Sequence, residues 1–283
     1  EAFYKHPEIK NMHNRFFQNE VRSREETNWI HEKTRVFKER VGTFLDKFAI
    51  DLMIVENALS IPLNIPLGLA ITELISETRI PVIAHHHDFA WERKRFLVNS
   101  IGDYLDMAFP PSNKRIHHVV INTHAQHQLA RRSGVGSVLI PNVMNYDKSP
   151  PEIDEYNQDL RKELGISENE TFILQPTRIV ERKGIEQAIE LVSRLERKVN
   201  FVVSHAAGDE GDDYAVRVRE YADLLGVKIT FAEKRFDNER GTTIDGKKIY
   251  NIADGYLHAD LVTYPSEFEG FGNAFLESVY YKK

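Results

Sequence analysis

The sequence has no cysteine. Disulfides, thiolate metal sites and a cysteine nucleophile are therefore excluded, and a reducing compartment, the cytoplasm, is the expected location. It has no apolar run long enough to span a bilayer, so no transmembrane segment is expected. Positive charge is not in excess: the net charge of -6 argues against nucleic acid as the main partner. No G-x-G-x-x-G follows any strand-like run, which disfavours a nicotinamide dinucleotide site. Tandem repeats and low-complexity tracts are also missing. The chain starts at Glu1 with neither a methionine nor a signal peptide, and it stops at Lys283 soon after a helical pattern begins, so both ends are expected to be cut.

What remains is an ordinary composition, 41% apolar over 283 residues, with room for two domains that each bury a core. Residues 1–24 are polar, with Phe3, Phe16 and Phe17 as scattered anchors. Ile30, Thr34, Phe37, Val41, Phe44, Leu45 and Phe48 then follow the helical period and predict a helix that packs one face. Strands are expected at 51–55, 79–84, 117–121 and 136–140, helices at 67–76 and 123–132, and an amphipathic stretch at 91–105 that Phe109-Pro-Pro-Ser112 breaks. Residues 146–157, with paired prolines and several acids, read as a linker. The second half repeats the alternation, with strands expected near 171–175, 199–204, 228–231 and 261–264. Its helices are expected over 184–195, 213–225 and 247–258, and the charged loop 234–246 is expected to be mobile. Such alternation implies parallel, doubly wound α/β sheets in a domain 1–145, a linker 146–157 and a domain 158–283.

The most informative stretch is Tyr264-Pro-Ser-Glu-Phe-Glu-Gly-Phe-Gly-Asn-Ala-Phe-Leu-Glu277. A strand ends at Pro265, Gly270 and Gly272 allow a tight turn, and a helix pattern starts near Asn273. That order points unpaired N–H groups and the positive end of a helix dipole at an anion. The segment resembles the E-x7-E element of the retaining family-4 glycosyltransferases of the GT-B fold, set inside P-S-x-x-E-G-F-G-x-x-x-L-E. Gln175-Pro-Thr-Arg178-Ile-Val-Glu-Arg182-Lys183-Gly184 resembles the R-x4-K element of the same family, and Pro141-Asn-Val-Met-Asn145 its P-N-G-V-D strand end, with Val143 in place of the glycine.

The resemblance implies two Rossmann-like domains facing across a cleft, with both family termini missing here, including a glycine-rich loop early in the first domain. It also implies roles. Arg178 and Lys183 neutralise the leaving nucleoside diphosphate without a divalent cation, Gly184 opens a helix, and Arg182 points away to the surface. Glu269 lies by the sugar hydroxyls, Glu277 grips the ribose, and the amides of Gly270, Phe271, Gly272 and Asn273 hold sugar and diphosphate. Arg235 or Phe236 stacks on the base.

His85-His86-His87-Asp88 ends a first-domain strand, where open α/β sheets bind ligands. Alternation turns His86 away from His85 and His87, so the three are poor joint ligands for one metal, and no metal site is expected even counting His117, His118, His124 and His127. In the family a histidine at this strand end contacts the donor sugar; the pattern His-x-Asp-Phe favours His86, with His87 second. Trp91, Glu92, Arg93 and Arg95 are candidates to line an acceptor pocket. The run from His85 to Arg93 is similar to that of family members that make mannosylglucosylglycerate, a compatible solute, from GDP-mannose. The implied function is a retaining hexosyltransferase using a GDP- or UDP-linked sugar and a small hydroxylated acceptor such as a glycerate glycoside, with no required cofactor. A phosphorylase or sugar epimerase on the same scaffold, a non-catalytic fragment, and association into a homo-oligomer stay open.

Overall fold

The computed structural model describes residues 3–207 and 213–283, and the chain divides into two compact units, Glu1–Asn142 and Val143–Lys283. The first unit opens with a helix the sequence pattern did not reveal, α1 (Pro7–Phe16). Proline at its first turn suits a helix start, and Ile9, Met12 and Phe16 are buried on one side. Helix α2 (Arg24–Lys47) begins at a capping box, in which Ser23 accepts from the Glu26 N–H and Glu26 accepts from the Ser23 N–H. Ile30, Thr34, Phe37 and Leu45 are buried as the helical period requires, but Phe44 and Phe48 are exposed and lie 4.7 Å apart by ring centroids.

Strand β1 (Met53–Glu56), helix α3 (Ile65–Thr78), strand β2 (Val82–His86), helix α4 (Gly102–Ala108), strand β3 (Ile116–Val120), helix α5 (Thr123–Ser133) and strand β4 (Ser137–Leu139) follow in turn. The strands pair in parallel in the order β1-β2-β3-β4. Strand β1, expected to be buried, lies at the edge of the sheet and leaves Ile54 62% exposed. The amphipathic stretch expected over 91–105 is two 3-10 turns, Ala90–Glu92 and Lys94–Phe96, and then the start of α4. Arg93 is held there by an ion pair with Asp88, and the Phe89 N–H donates to Glu92 at 2.8 Å.

The second unit contains α6 (Leu160–Glu163), β5 (Thr171–Gln175), α7 (Ile185–Ser193), β6 (Val199–Val203), α8 (Asp213–Leu224) and β7 (Ile229–Phe231). It continues with β8 (Phe236–Asp237), β9 (Gly241–Thr242), β10 (Lys248–Asn251), α9 (Ile252–His258), β11 (Leu261–Val262) and α10 (Asn273–Tyr280). The main sheet is parallel with order β11-β5-β6-β7. Winding reverses between β5 and β11, which makes their carboxyl ends a topological switch point.

Two expectations are corrected here. The charged stretch after β7 is not a plain loop: β8, β9 and β10 form a small three-stranded sheet. The Tyr156 hydroxyl lies 2.7 Å from the Gly241 carbonyl and 2.9 Å from that of Ile249, and Arg240 bridges Asp154 and Asp254, both at 2.6 Å. The helix expected from residue 247 starts only at Ile252, because Lys248–Asn251 pairs as β10 and Asn251 caps the helix by accepting from the Ala253 N–H. Among the described residues, no helix is long and apolar enough to cross a membrane.

Candidate active site

The two sequence elements singled out in the second unit leave the sheet at the switch point. Arg178 to Gly184 follow β5, and Tyr264 to Gly272 follow β11. Buried hydrogen bonds tie the strand ends together: the Thr263 hydroxyl donates to Gln175 Oε1 at 2.6 Å, and Gln175 Nε2 donates to Thr177 Oγ1 at 2.9 Å. Gly184 sits in the left-handed region (φ +59), where glycine carries little penalty, and a Cβ there would stand 2.5 Å from the Pro265 carbonyl oxygen. The close approach of the two loops thus depends on an absent side chain.

Across this contact Lys183 Nζ donates to Glu269 Oε1. Arg182 joins it. Its Nη1 lies 3.2 Å from Glu269 Oε2 and 3.1 Å from the Phe268 carbonyl, and its own carbonyl accepts from the Glu267 N–H at 3.0 Å. The expectation that Arg182 points away is therefore corrected. A 3-10 turn at Glu181–Lys183 brings both basic side chains to one carboxylate. Burial raises the Glu269 carboxyl, but hydrogen bonds from Lys183 and Ser266 and the charges of Lys183 and Arg182 outweigh it, leaving it below its ordinary value. Burial also pulls the Lys183 ammonium down, against the opposing pull of Glu269. Burial and the Glu269 charge push the Tyr264 phenol up, so it stays protonated as a donor at neutral pH, with Lys183 Nζ 5.7 Å from its ring centre.

Helix α10 starts at Asn273, and Gly272 before it has φ +91. Gly270, Phe271 and Gly272 thus form the turn, and Asn273 the first residue, at the N-terminal end of this helix. Glu277, in the second turn of α10, lies 2.8 Å from the Tyr256 hydroxyl. His205, two residues past the end of β6, is not among the residues the sequence motifs single out. Burial and then the charge of Arg178 pull its ring below the ordinary histidine range, with a further contribution from Lys183. Its signal was its position as a polar residue at the carboxyl end of a central strand, where Ser204 Oγ lies 2.6 Å from its Nδ1.

Arg235 and Phe236 are not brought to this group. Arg235 donates to the Lys248 carbonyl at 2.8 Å, the Glu163 carbonyl at 3.1 Å and the Glu163 carboxylate at 3.0 Å. Phe236 is buried in the core beside Tyr250. Stacking on a base is therefore reassigned away from both.

In the first unit the strand alternation holds, with a consequence for His86. Its side chain is 1% exposed and its Nε2 lies 2.8 Å from His118 Nδ1, so it is a buried structural partner and not a contact for a sugar. Burial pushes His86 down to about 3 and His118 down to about 4, so both are neutral at physiological pH. His87 stays accessible; its N–H donates to Asn57 Oδ1 at 2.8 Å. His85 and His87 share the opposite face, where Glu56 of the neighbouring strand joins them.

Residues 157–283 match the family model for glycosyl transferases group 1. The chain is 34% identical to mannosylglucosylglycerate synthase of Petrotoga mobilis, over 91% of this chain and 64% of that protein. It is 33% identical to mannosylglucosylglycerate synthase of Thermotoga maritima, over 100% of this chain and 67% of that protein. The chain thus spans about two thirds of the length of these relatives. Among solved structures, Anabaena HepE in complex with UDP and glucose aligns with a TM-score of 0.58 at 16% identity, over 90% of this chain and 60% of that one. That likeness speaks to fold alone, an α/β chain of the GT-B type with Rossmann-like units.

Proposed function

Because the chain belongs to the glycosyl transferases of group 1, we propose that it is a retaining hexosyltransferase that moves a sugar from a nucleoside diphosphate sugar to a small hydroxylated acceptor, a glycerate glycoside. The observation that carries this reading is the grouping of Lys183 and Arg182 on Glu269 at the switch point, beside the start of α10. As the glycosidic bond breaks, negative charge builds on the departing diphosphate. Arg178, Lys183 and Arg182 supply fixed positive charge there, and the amides of Gly270 to Asn273 add donors. With that charge already provided by the chain, the donor chemistry requires no divalent cation.

Glu269 is ionised and rigidly placed, suited to accept hydrogen bonds from sugar hydroxyls and to stabilise a positively charged ring. It is spent on two cations in this arrangement, so it is not a free nucleophile. Attack then comes from the same face as the leaving group, with the departing phosphate oxygen taking the acceptor proton. Glu277 holds the ribose. The glycerate-type acceptor rests on the names of the two bacterial relatives, and the donor is GDP-mannose or a UDP- or GDP-linked glucose. The reading extends to a cytoplasmic location, in keeping with a chain that has no cysteine to oxidise.

Mass spectrometry of reactions with UDP-, GDP- and ADP-sugars and glycerate or glucosylglycerate tests the proposal. The expected product is the acceptor plus one hexose with release of the nucleoside diphosphate. Absence of hexose transfer from every donor in the panel would overturn it.

A further inference from the structure

A second cluster of side chains with ligand chemistry lies within the first unit. We propose that Glu56, His85 and His87 form a binding site for one divalent transition-metal ion. Strands β1 and β2 run parallel with Glu56 and His85 as register partners, so both side chains leave the same face of the sheet. His87 follows two residues later on that face. His85 Nδ1 lies 3.1 Å from Glu56 Oε1, and His87 Nε2 lies 3.3 Å from Glu56 Oε2. The ligand atoms of all three residues lie within 4.8 Å of one another.

These separations suit a shared ion. Ligands held about 2.1 Å from one metal, at angles between octahedral and tetrahedral, stand roughly 3.0–3.4 Å apart. Both histidine–carboxylate distances fall in that interval, and a small rotation of these partly exposed side chains closes the wider gap between the two rings. The donor set, two imidazoles and one carboxylate, suits zinc, cobalt, nickel or manganese better than magnesium or calcium. Three protein ligands leave coordination positions open for an exchangeable oxygen ligand, water or a carboxylate.

The backbone is fixed around the site. Asn57 adopts the left-handed conformation (φ 58), donates its N–H to the His85 carbonyl at 2.9 Å, and accepts the His87 N–H on its side chain at 2.8 Å. One residue thus sets the strand that carries the carboxylate against the strand that carries both imidazoles. The alternation that separates His86 from its neighbours does not prevent a metal site; it selects the two histidines that face Glu56. The proposal does not depend on the transferase reading, because the donor chemistry there uses the chain's own cations.

The test is titration of the metal-free protein with cobalt(II), followed by its visible absorption, and with zinc(II), followed by calorimetry. One equivalent per chain is expected. Affinity should fall about 100-fold or more in each of Glu56→Gln, His85→Gln and His87→Gln, with circular dichroism unchanged because all three side chains are at least partly exposed. Anomalous scattering from a cobalt-soaked wild-type crystal gives a second readout that needs no variant, and a peak between these three residues is expected. No binding, binding unaltered by all three substitutions, or a peak only at other histidines would each overturn the proposal.

Discussion

The carbonyl oxygen of Pro265 occupies the place where a side chain on Gly184 would begin: a Cβ there would lie 2.5 Å from it. The loop after β5 and the loop after β11 therefore meet backbone to backbone, and the Lys183–Glu269 pair forms next to that contact. Gly184→Ala adds a clash to a positive φ. We expect it to destabilise the second unit by about 1–3 kcal/mol and to depress turnover more than a surface substitution on α7 does. Chemical denaturation together with steady-state kinetics checks both. Unchanged stability would mean the loops have room to separate.

Removal of positive charge from the same place should act on chemistry more than on folding. Lys183→Ala and Arg178→Ala are each expected to cut kcat by roughly 10²–10³, the scale seen when one preorganised charge or donor is lost. Circular dichroism and the unfolding midpoint serve as controls. Wild-type rates in both variants would remove the diphosphate role.

Glu269→Gln separates two roles. The carboxylate competes with any anion for Lys183 and Arg182, so its neutral isostere should bind a nucleoside diphosphate without sugar at least as tightly as wild type. Turnover should nonetheless collapse, because the charge that steadies the sugar ring is gone. Calorimetry with GDP and UDP, set beside kcat, decides the matter; a joint loss of binding and turnover would contradict the competition.

How much of this could be read in the sequence depends on how local the cause is. Strand β5 and helix α10 were placed correctly because a buried apolar run and a glycine turn announce themselves locally. Helix α1 was missed because only Ile9, Met12 and Phe16 carry its period, among polar neighbours. Residues 248–251 look helical in continuation of α9, and they become a strand only because β8 and β9 lie alongside. At the site, the family resemblance singles out Lys183 and Glu269 but not the direction of Arg182, which the 3-10 turn decides. Arg235 has a plausible position after β7, yet its partners Glu163 and Lys248 come from segments that only the folded chain brings near. The alternation of the histidines was legible, whereas the approach of Glu56 required the register of β1 on β2.

The buried histidine pair makes stability depend on pH. His118 is held at about 4 by burial, below the ordinary value of 6.5. Between those values the unfolded chain binds the proton and the folded chain does not, so stability falls as pH drops from 6.5 towards 4 and is fully present above 6.5. The loss is on the order of 3 kcal/mol for a shift of this size. Urea unfolding at pH 7.5, 6 and 4.5 in the presence of EDTA should show that decline, and a shallower one in His118→Gln. Equal slopes in the two proteins would assign the acid sensitivity elsewhere.

Retention of configuration is the remaining expectation. With Glu269 committed to Lys183 and Arg182, no free carboxylate nucleophile is assigned to the far face of the sugar, and an α-linked donor should give an α-linked product. The one-bond C1–H1 coupling constant at the anomeric centre of the product reports this directly, for mannose as for glucose. A β-glycoside would overturn front-face attack.

The ion pairing of Glu269 also bears on traffic through the site. On the proposed reading, an incoming diphosphate would take over Lys183 and Arg182 from their resident counter-ion Glu269, and the departing nucleotide would hand them back. Loading and release would then be an exchange of one anion for another at nearly constant local charge. Such an exchange would shorten the residence of the spent nucleotide and make ionic strength a weaker brake on binding than the number of basic residues suggests.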